Sequence, residues 1–142
     1  MSLLNKNTDY AVRALVQCAL APDGAYLPSA AIARAQGIPL RFLRALLQKL
    51  IKGGLLESRE GKSGGVRLGL SPDKITLLAV LRLMQEGGCV SECLFRKRLC
   101  PMRAACVLRP RLMSIEGKLE RELSKVTVGV LAKAAGLGKA RR

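Results

Sequence analysis

Residues 29–58, SAAIARAQGIPLRFLRALLQKLIKGGLLES, hold two helical runs divided by Gly37-Ile38-Pro39 and closed by Gly53-Gly54. Ser29 is placed to cap a short helix over residues 30–36, because its hydroxyl can accept from an amide that the first turn leaves unpaired. Gly37 ends that helix, and Pro39, whose fixed φ suits a first turn, opens the next. In the second helix Leu40, Leu43, Leu47 and Leu50 recur three and four apart as one apolar stripe, while Arg41, Arg44 and Gln48 make a polar stripe on another face. Such a helix packs with one face and presents the other, so the expected unit is helix, tight turn, helix.

On the C-terminal side of that unit, LLES and VRLGL read as two short strands, and REGKSGG between them carries the glycines that a hairpin tip needs for positive φ. The result is a basic, glycine-rich wing. Thr76 caps an apolar helix over residues 77–85, closed by Gly87-Gly88, which puts the domain boundary near Gly88. On the N-terminal side lies a helix from Thr8 to about Leu20. There Tyr10, Ala11, Ala14, Leu15, Cys18 and Ala19 share a face, Arg13 and Gln17 lie opposite, and Pro22-Asp23-Gly24 stops the run. Cys18 falls on the apolar face and reads as core, since a buried free thiol packs as a small hydrophobe.

Farther along, Leu108, Leu112, Ile115, Leu119, Leu123 and Val126 recur three or four apart, with charged residues largely off the seam. A helix of about 30 Å must bury such a stripe, and a twofold-related copy of the chain is the simplest cover. Pro110 is compatible only with the first turn, and Gly117 costs about 1 kcal/mol against alanine in a helix interior. The sequence therefore divides into a winged helix-turn-helix domain at 1–88, a cysteine segment at 89–106 and a dimerisation helix with a short terminal helix at 107–135. The tail at 136–142 lacks apolar periodicity and is expected to be disordered. The fold class is mainly α with a small β-hairpin wing, a winged helix-turn-helix followed by a long C-terminal dimerisation helix.

The chain has 142 residues, room for one compact domain and an appendage. Lys and Arg number 25 against 10 Asp and Glu, a net charge of +15 that suits a polyanionic partner, nucleic acid before an anionic membrane. The N-terminus lacks a signal-peptide pattern, and no stretch is long enough to span a bilayer, so the expected location is the cytoplasm. In that reducing compartment five cysteines argue for metal or redox chemistry over a disulfide framework. An enzyme is disfavoured: there is no histidine, no GxxxxGK phosphate loop and no nucleophile with an evident base.

Five segments taken in order resemble the IscR and NsrR family of bacterial winged-helix regulators, also called the Rrf-two family. They are TDYAVRALVQCA, AIARAQGIPLRFLRALLQKLIKGGLLES, GKSGGVRLGLSPDKITLLAVLRLMQEG, CLFRKRLCPMRAACVLR and LSKVTVGVL, together covering nearly the whole chain. The resemblance implies that the helix beginning at Pro39 enters the major groove of double-stranded DNA, with Arg41 and Arg44 toward base edges or phosphates and Ser29 and Leu40 beside them. It implies that the wing brings Arg59, Lys62 and the amides of Ser63 and Gly64 to phosphates or the minor groove. Where the family commonly has arginine before the first wing glycine this chain has Glu60, which shifts the wing's contact to Arg59 and Lys62.

Cys93, Cys100 and Cys106 match the family's cluster-binding cysteines, and soft thiolate sulfur is the ligand that iron-sulfur clusters, 2Fe-2S or 4Fe-4S, select. The fourth ligand cannot be histidine, and Arg109, three residues after Cys106, cannot coordinate. Asp9 stands where the nitric-oxide-sensing branch uses an aspartate given by the partner subunit; Cys89 and an exogenous ligand are the alternatives. Zinc ranks below iron because four-cysteine zinc sites are usually two close pairs, unlike the spacing at 89, 93, 100 and 106. The resulting expectation is a homodimeric DNA-binding regulator that senses iron-sulfur status, redox or nitric oxide. A thiol-redox regulator without a cluster and an iron-sulfur electron-transfer protein are its rivals.

Overall fold

A computed structural model describes residues 4–85 and 104–140. Helix α1, Lys6–Ala19, begins two residues before the expected Thr8, because Asn5 caps it: Asn5 Oδ1 accepts from Thr8 N at 2.8 Å and from Thr8 Oγ1 at 3.0 Å. Ala11, Ala14, Leu15 and Cys18 are buried along one face, and α1 is the hub against which α2 (Ser29–Gln36), α3 (Leu40–Lys52), α4 (Leu77–Met84) and α6 (Val128–Ala140) all pack.

Ser29 does not cap α2. It is the first helical residue, and the helix starts instead on the Pro28 carbonyl, which accepts from Ala31 N at 3.0 Å and Ile32 N at 3.2 Å. The cause is tertiary. Leu27 pairs with Val66, exchanging backbone bonds of 2.8 and 2.9 Å, so Pro28 is extended as it enters the helix. Gly37 closes α2 at φ 63°, a left-handed conformation in which a Cβ is disfavoured, and Ile38 N reaches back to Ala33 O at 3.0 Å.

Pro39 is the N-cap of α3. The buried face is Leu43, Leu46, Leu47 and Leu50; Leu40, expected in that stripe, is only half-buried because it lies at the helix entrance, and Leu46 takes a place in the core. The helix ends in a Schellman motif, Leu55 N bonding Leu50 O and Gly54 N bonding Ile51 O, each at 3.0 Å.

Strands β1 (Leu56–Arg59) and β2 (Gly65–Leu68) form the antiparallel hairpin, pairing Leu56 with Leu68, Glu57 with Arg67, Ser58 with Val66 and Arg59 with Gly65. Period-two alternation sends Leu56 and Val66 into the core and leaves Glu57, Arg59 and Arg67 on the outer face. A 3-10 turn, Pro72–Lys74, leads to α4, which Thr76 caps as expected, its Oγ1 accepting from Ala79 N at 3.1 Å.

Helix α5, Leu108–Lys125, holds Pro110 in its first turn. Its apolar stripe is not buried evenly. Leu123 is buried and Arg82 of α4 pairs with Glu120 at 3.0 Å, so one side lies on the domain, whereas Leu108 and Ile115 are 60% and 52% exposed. Val126, expected as the last seam residue, has left the helix; its carbonyl accepts from Leu77 N at 2.8 Å, and Val128 N bonds Ile75 O at 2.9 Å. These bonds return the chain to the start of α4, and α6 packs back on α1. The expected disordered tail at 136–142 is corrected in part, since α6 runs to Ala140. Its small residues gave no amphipathic signal, yet one of them lets the helix approach the 3-10 turn: a Cβ on Gly129 would fall on the Asp73 carboxylate and lie 3.3 Å from Asp73 N. Among the described residues no helix is long and apolar enough to cross a membrane.

Candidate nucleic-acid interface and cysteine segment

Burial of the leucine face turns Arg41, Arg44, Ala45, Gln48, Lys49 and Lys52 outward along α3. With no acidic residue on the helix, every charge on that face is positive. Phe42 stands with them at 61% exposure, a large apolar ring in water that the sequence reading did not single out. Only its departure from the leucine repeat could have marked it. Arg41 and Arg44 are therefore brought to one surface with Lys49 and Lys52, and Leu40 sits half-buried at its edge.

At the wing, Lys62 and Ser63 are exposed at the tip. Two expected contacts are altered by bonds inside the hairpin. Gly64 is buried and its amide bonds Gly61 O at 3.0 Å, so that donor is already used by the turn. Arg59 is exposed but not loose: Nη2 donates to Ser63 O at 2.9 Å, and its guanidinium carbon lies 4.2 Å from the centre of the Tyr26 ring. Arg67 lies over the same ring at 4.6 Å and pairs through Nε with Glu57 Oε2 at 3.1 Å. Tyr26 and Arg67 were not legible as site residues, because only the Leu27–Val66 bridge brings residue 26 beside the hairpin.

Cys93, Cys100 and Cys89 lie outside the described residues. Cys106 is half-buried at the head of α5, where its Sγ accepts from Arg109 N at 3.4 Å. Asp9 is in the first turn of α1, half-exposed, and pairs with Arg13 Nε at 3.1 Å across one helical turn. Cys18 is buried, and the loss of water around it pushes its thiol up to about 12, which suits a core residue and not a ligand. Thr8, fully buried beside Asp9, accepts at Oγ1 from Gln85 Nε2 at 3.1 Å, joining the start of α1 to the end of α4.

The family model described as "Rrf2: Iron-dependent Transcriptional regulator" matches residues 4–134. Among curated proteins, protein aau3 of Rhizobium meliloti (strain 1021) is 35% identical over 133 residues, 92% of this chain and 85% of that protein. The HTH-type transcriptional regulator IscR of Aliivibrio salmonicida is 33% identical over 131 residues, 92% of this chain and 77% of that one. Solved structures agree on the fold. CymR (YrzC), the global cysteine regulator of B. subtilis, superposes with a TM-score of 0.74 at 23% identity, covering 94% of this chain and 98% of that one. IscR of T. potens does so with a TM-score of 0.73 at 21% identity, covering 93% and 87%.

Proposed function

Because this chain belongs to the Rrf2 family of DNA-binding transcriptional regulators, we propose that it works as a homodimer whose two α3 helices read the half-sites of a pseudo-palindromic operator and whose cysteine segment carries the signal. The observation that carries the DNA reading is the division of α3 into a buried leucine face and an exposed face bearing Arg41, Arg44, Lys49 and Lys52. An α-helix fits the major groove, and bidentate arginine favours guanine there. Ser29 at the start of α2, Leu40 beside Arg41, and Lys62 and Ser63 at the wing tip complete the contact surface.

The second copy is supported by α5. Leu108 and Ile115, two turns apart on one face of α5, are each more than half exposed, and among the described residues nothing covers them; an apolar face of this kind needs a cover. A twofold axis along α5 supplies it.

For the signal, Cys93, Cys100 and Cys106 would hold an iron-sulfur cluster, with Asp9 of the partner subunit as the fourth ligand and Cys89 as its competitor. Cys106 fits the role, as an accessible soft donor at the head of α5. When bound, the cluster would supply sensitivity to iron-sulfur status, redox or nitric oxide. The chain's own part is positional: Cys106 lies two residues before Leu108, so ligation there fixes the start of the dimer helix. Asp9 is engaged with Arg13 in a half-exposed pair worth only about 0.3 to 0.5 kcal/mol, so ligation could displace it; a thiol-redox regulator without a cluster is the second reading.

Anaerobic purification with visible absorption and iron and sulfide assays separates the two. Serine at Cys93, Cys100 or Cys106 is expected to deplete iron severely, and alanine at Asp9 to leave a labile cluster, with alanine at Cys89 nearly silent. Purified protein without iron or sulfide refutes cluster sensing. Equal duplex affinity with and without the cluster, at one salt concentration, refutes its role as the switch.

A further inference from the structure

Tyr26 lies in no helix or strand, yet its ring carries two guanidinium groups, Arg59 at 4.2 Å and Arg67 at 4.6 Å from its centre. Like charges brought to one spot repel, so the arrangement needs specific compensation. The negative face of the ring attracts both cations, and the Glu57 carboxylate, half-exposed, neutralises part of Arg67 through Nε. The ring's own place is fixed by backbone: Leu27 exchanges two hydrogen bonds with Val66, which sets residue 26 beside residue 67 on the outer face of the hairpin.

Three separate elements thus converge on one side of the wing: the segment before α2, the end of β1 and the middle of β2. Arg59 is held twice, by the ring and by its bond to Ser63 O at the wing tip. A long side chain normally loses rotamer freedom when it binds. Here much of that ordering is done before any ligand arrives, and a guanidinium held in place is suited to the fork geometry of phosphate.

Resting on the DNA-binding reading above, we propose that Tyr26 is the positioning residue of the wing, holding Arg59 and Arg67 as a paired cation site for backbone phosphates of the duplex. The wing then contributes sequence-independent attraction, while α3 reads the bases.

The test uses full-length protein with two probes, a duplex selected from a random pool by the wild-type chain and a random duplex of the same length. Arg59→Ala and Arg67→Ala are each expected to weaken both duplexes by the same factor and to lower the slope of log affinity against log salt by about one. Tyr26→Leu is expected to weaken both on the order of tenfold, and Tyr26→Phe, which keeps the ring, to restore wild-type affinity. In the Arg59→Ala, Arg67→Ala background, Tyr26→Leu should have no further effect. An undiminished loss in that background would make Tyr26 a packing residue and overturn the proposal, as would a salt slope unchanged by Arg67→Ala. The arginine variants leave the ring in place, so the slope measurement stands even where Tyr26→Leu folds poorly. Wild-type protein that binds neither duplex would overturn the DNA-binding reading itself.

Discussion

Replacing Gly65 with alanine is expected to disconnect the wing from the helix-turn-helix. Gly65 has φ +148°, a conformation that L side chains rarely adopt, and an added Cβ would fall on the Leu27 carbonyl and lie 2.7 Å from Pro28 N. Neither neighbour is a flexible side chain, so the backbone must move. The atoms displaced are those of the Leu27–Val66 bridge, whose bonds of 2.8 and 2.9 Å are worth about 1 kcal/mol each net. The unfavourable φ adds about 1 to 3 kcal/mol, giving a total of about 3 to 5 kcal/mol. At about 3 °C per kcal/mol for a chain of this size, that is a fall in Tm on the order of 10 °C. Gly37→Ala is the control: it also has positive φ, +63°, but nothing lies within 4 Å of its Cβ, so the conformational term stands alone at about 1 kcal/mol. Thermal melting of both variants by circular dichroism checks the ordering. A Gly65→Ala protein that melts with Gly37→Ala, or above it, would refute the argument that backbone contact at Leu27 dictates glycine.

Alkaline stability should report Cys18. Its folded value, about 12 against an ordinary 9.0, is raised, so its contribution is intact below about pH 9 and is lost as pH rises through about 12, by up to about 1.4 kcal/mol per pH unit. Cys18→Ala should flatten denaturant-measured stability across that window, and parallel curves would count against burial as the cause. Ile115→Glu should leave the monomer fold within about 0.5 kcal/mol, because the site is 52% exposed, yet dissociate the dimer by placing an unpaired charge at its seam. An unchanged sedimentation coefficient refutes the α5 interface. Phe42→Ala should be silent in stability but cost a few-fold in affinity for the selected duplex, at about 0.8 kcal/mol per buried methylene equivalent, if the ring meets a thymine methyl group. Replacing thymines by uracil one at a time checks it, since a position that matters to wild type and not to the variant is required. Thr76→Ala should lower stability by about 1 kcal/mol in urea titration, the worth of the cap on α4; a value near zero would mean that Val126 alone orders that helix start.

Local periodicity was enough for the helix-turn-helix, the hairpin and the capped α4, because each is decided by residues within one or two turns of one another: the α3 leucines, the wing glycines, Thr76. Arg41 and Arg44 were legible as an exposed pair for the same reason, since burial of one helix face dictates exposure of the other. The cysteine spacing was equally plain in the sequence, but only Cys106 and Asp9 of that set fall within the described residues, and the pairing of Asp9 with Arg13 depends on side-chain contact that spacing alone does not fix. What tertiary structure decided are the contacts made across chain distance. The Leu27–Val66 bridge moved the N-cap of α2 from Ser29 to Pro28 and delivered Tyr26 to Arg59 and Arg67. The bonds of Val126 and Val128 to the neighbours of Thr76 split the C-terminal stripe, sending Leu123 inward while Ile115 stayed in water. An apolar repeat states that a face must be covered; which neighbour covers it is settled only when other segments, each with a face of its own, compete for the same core.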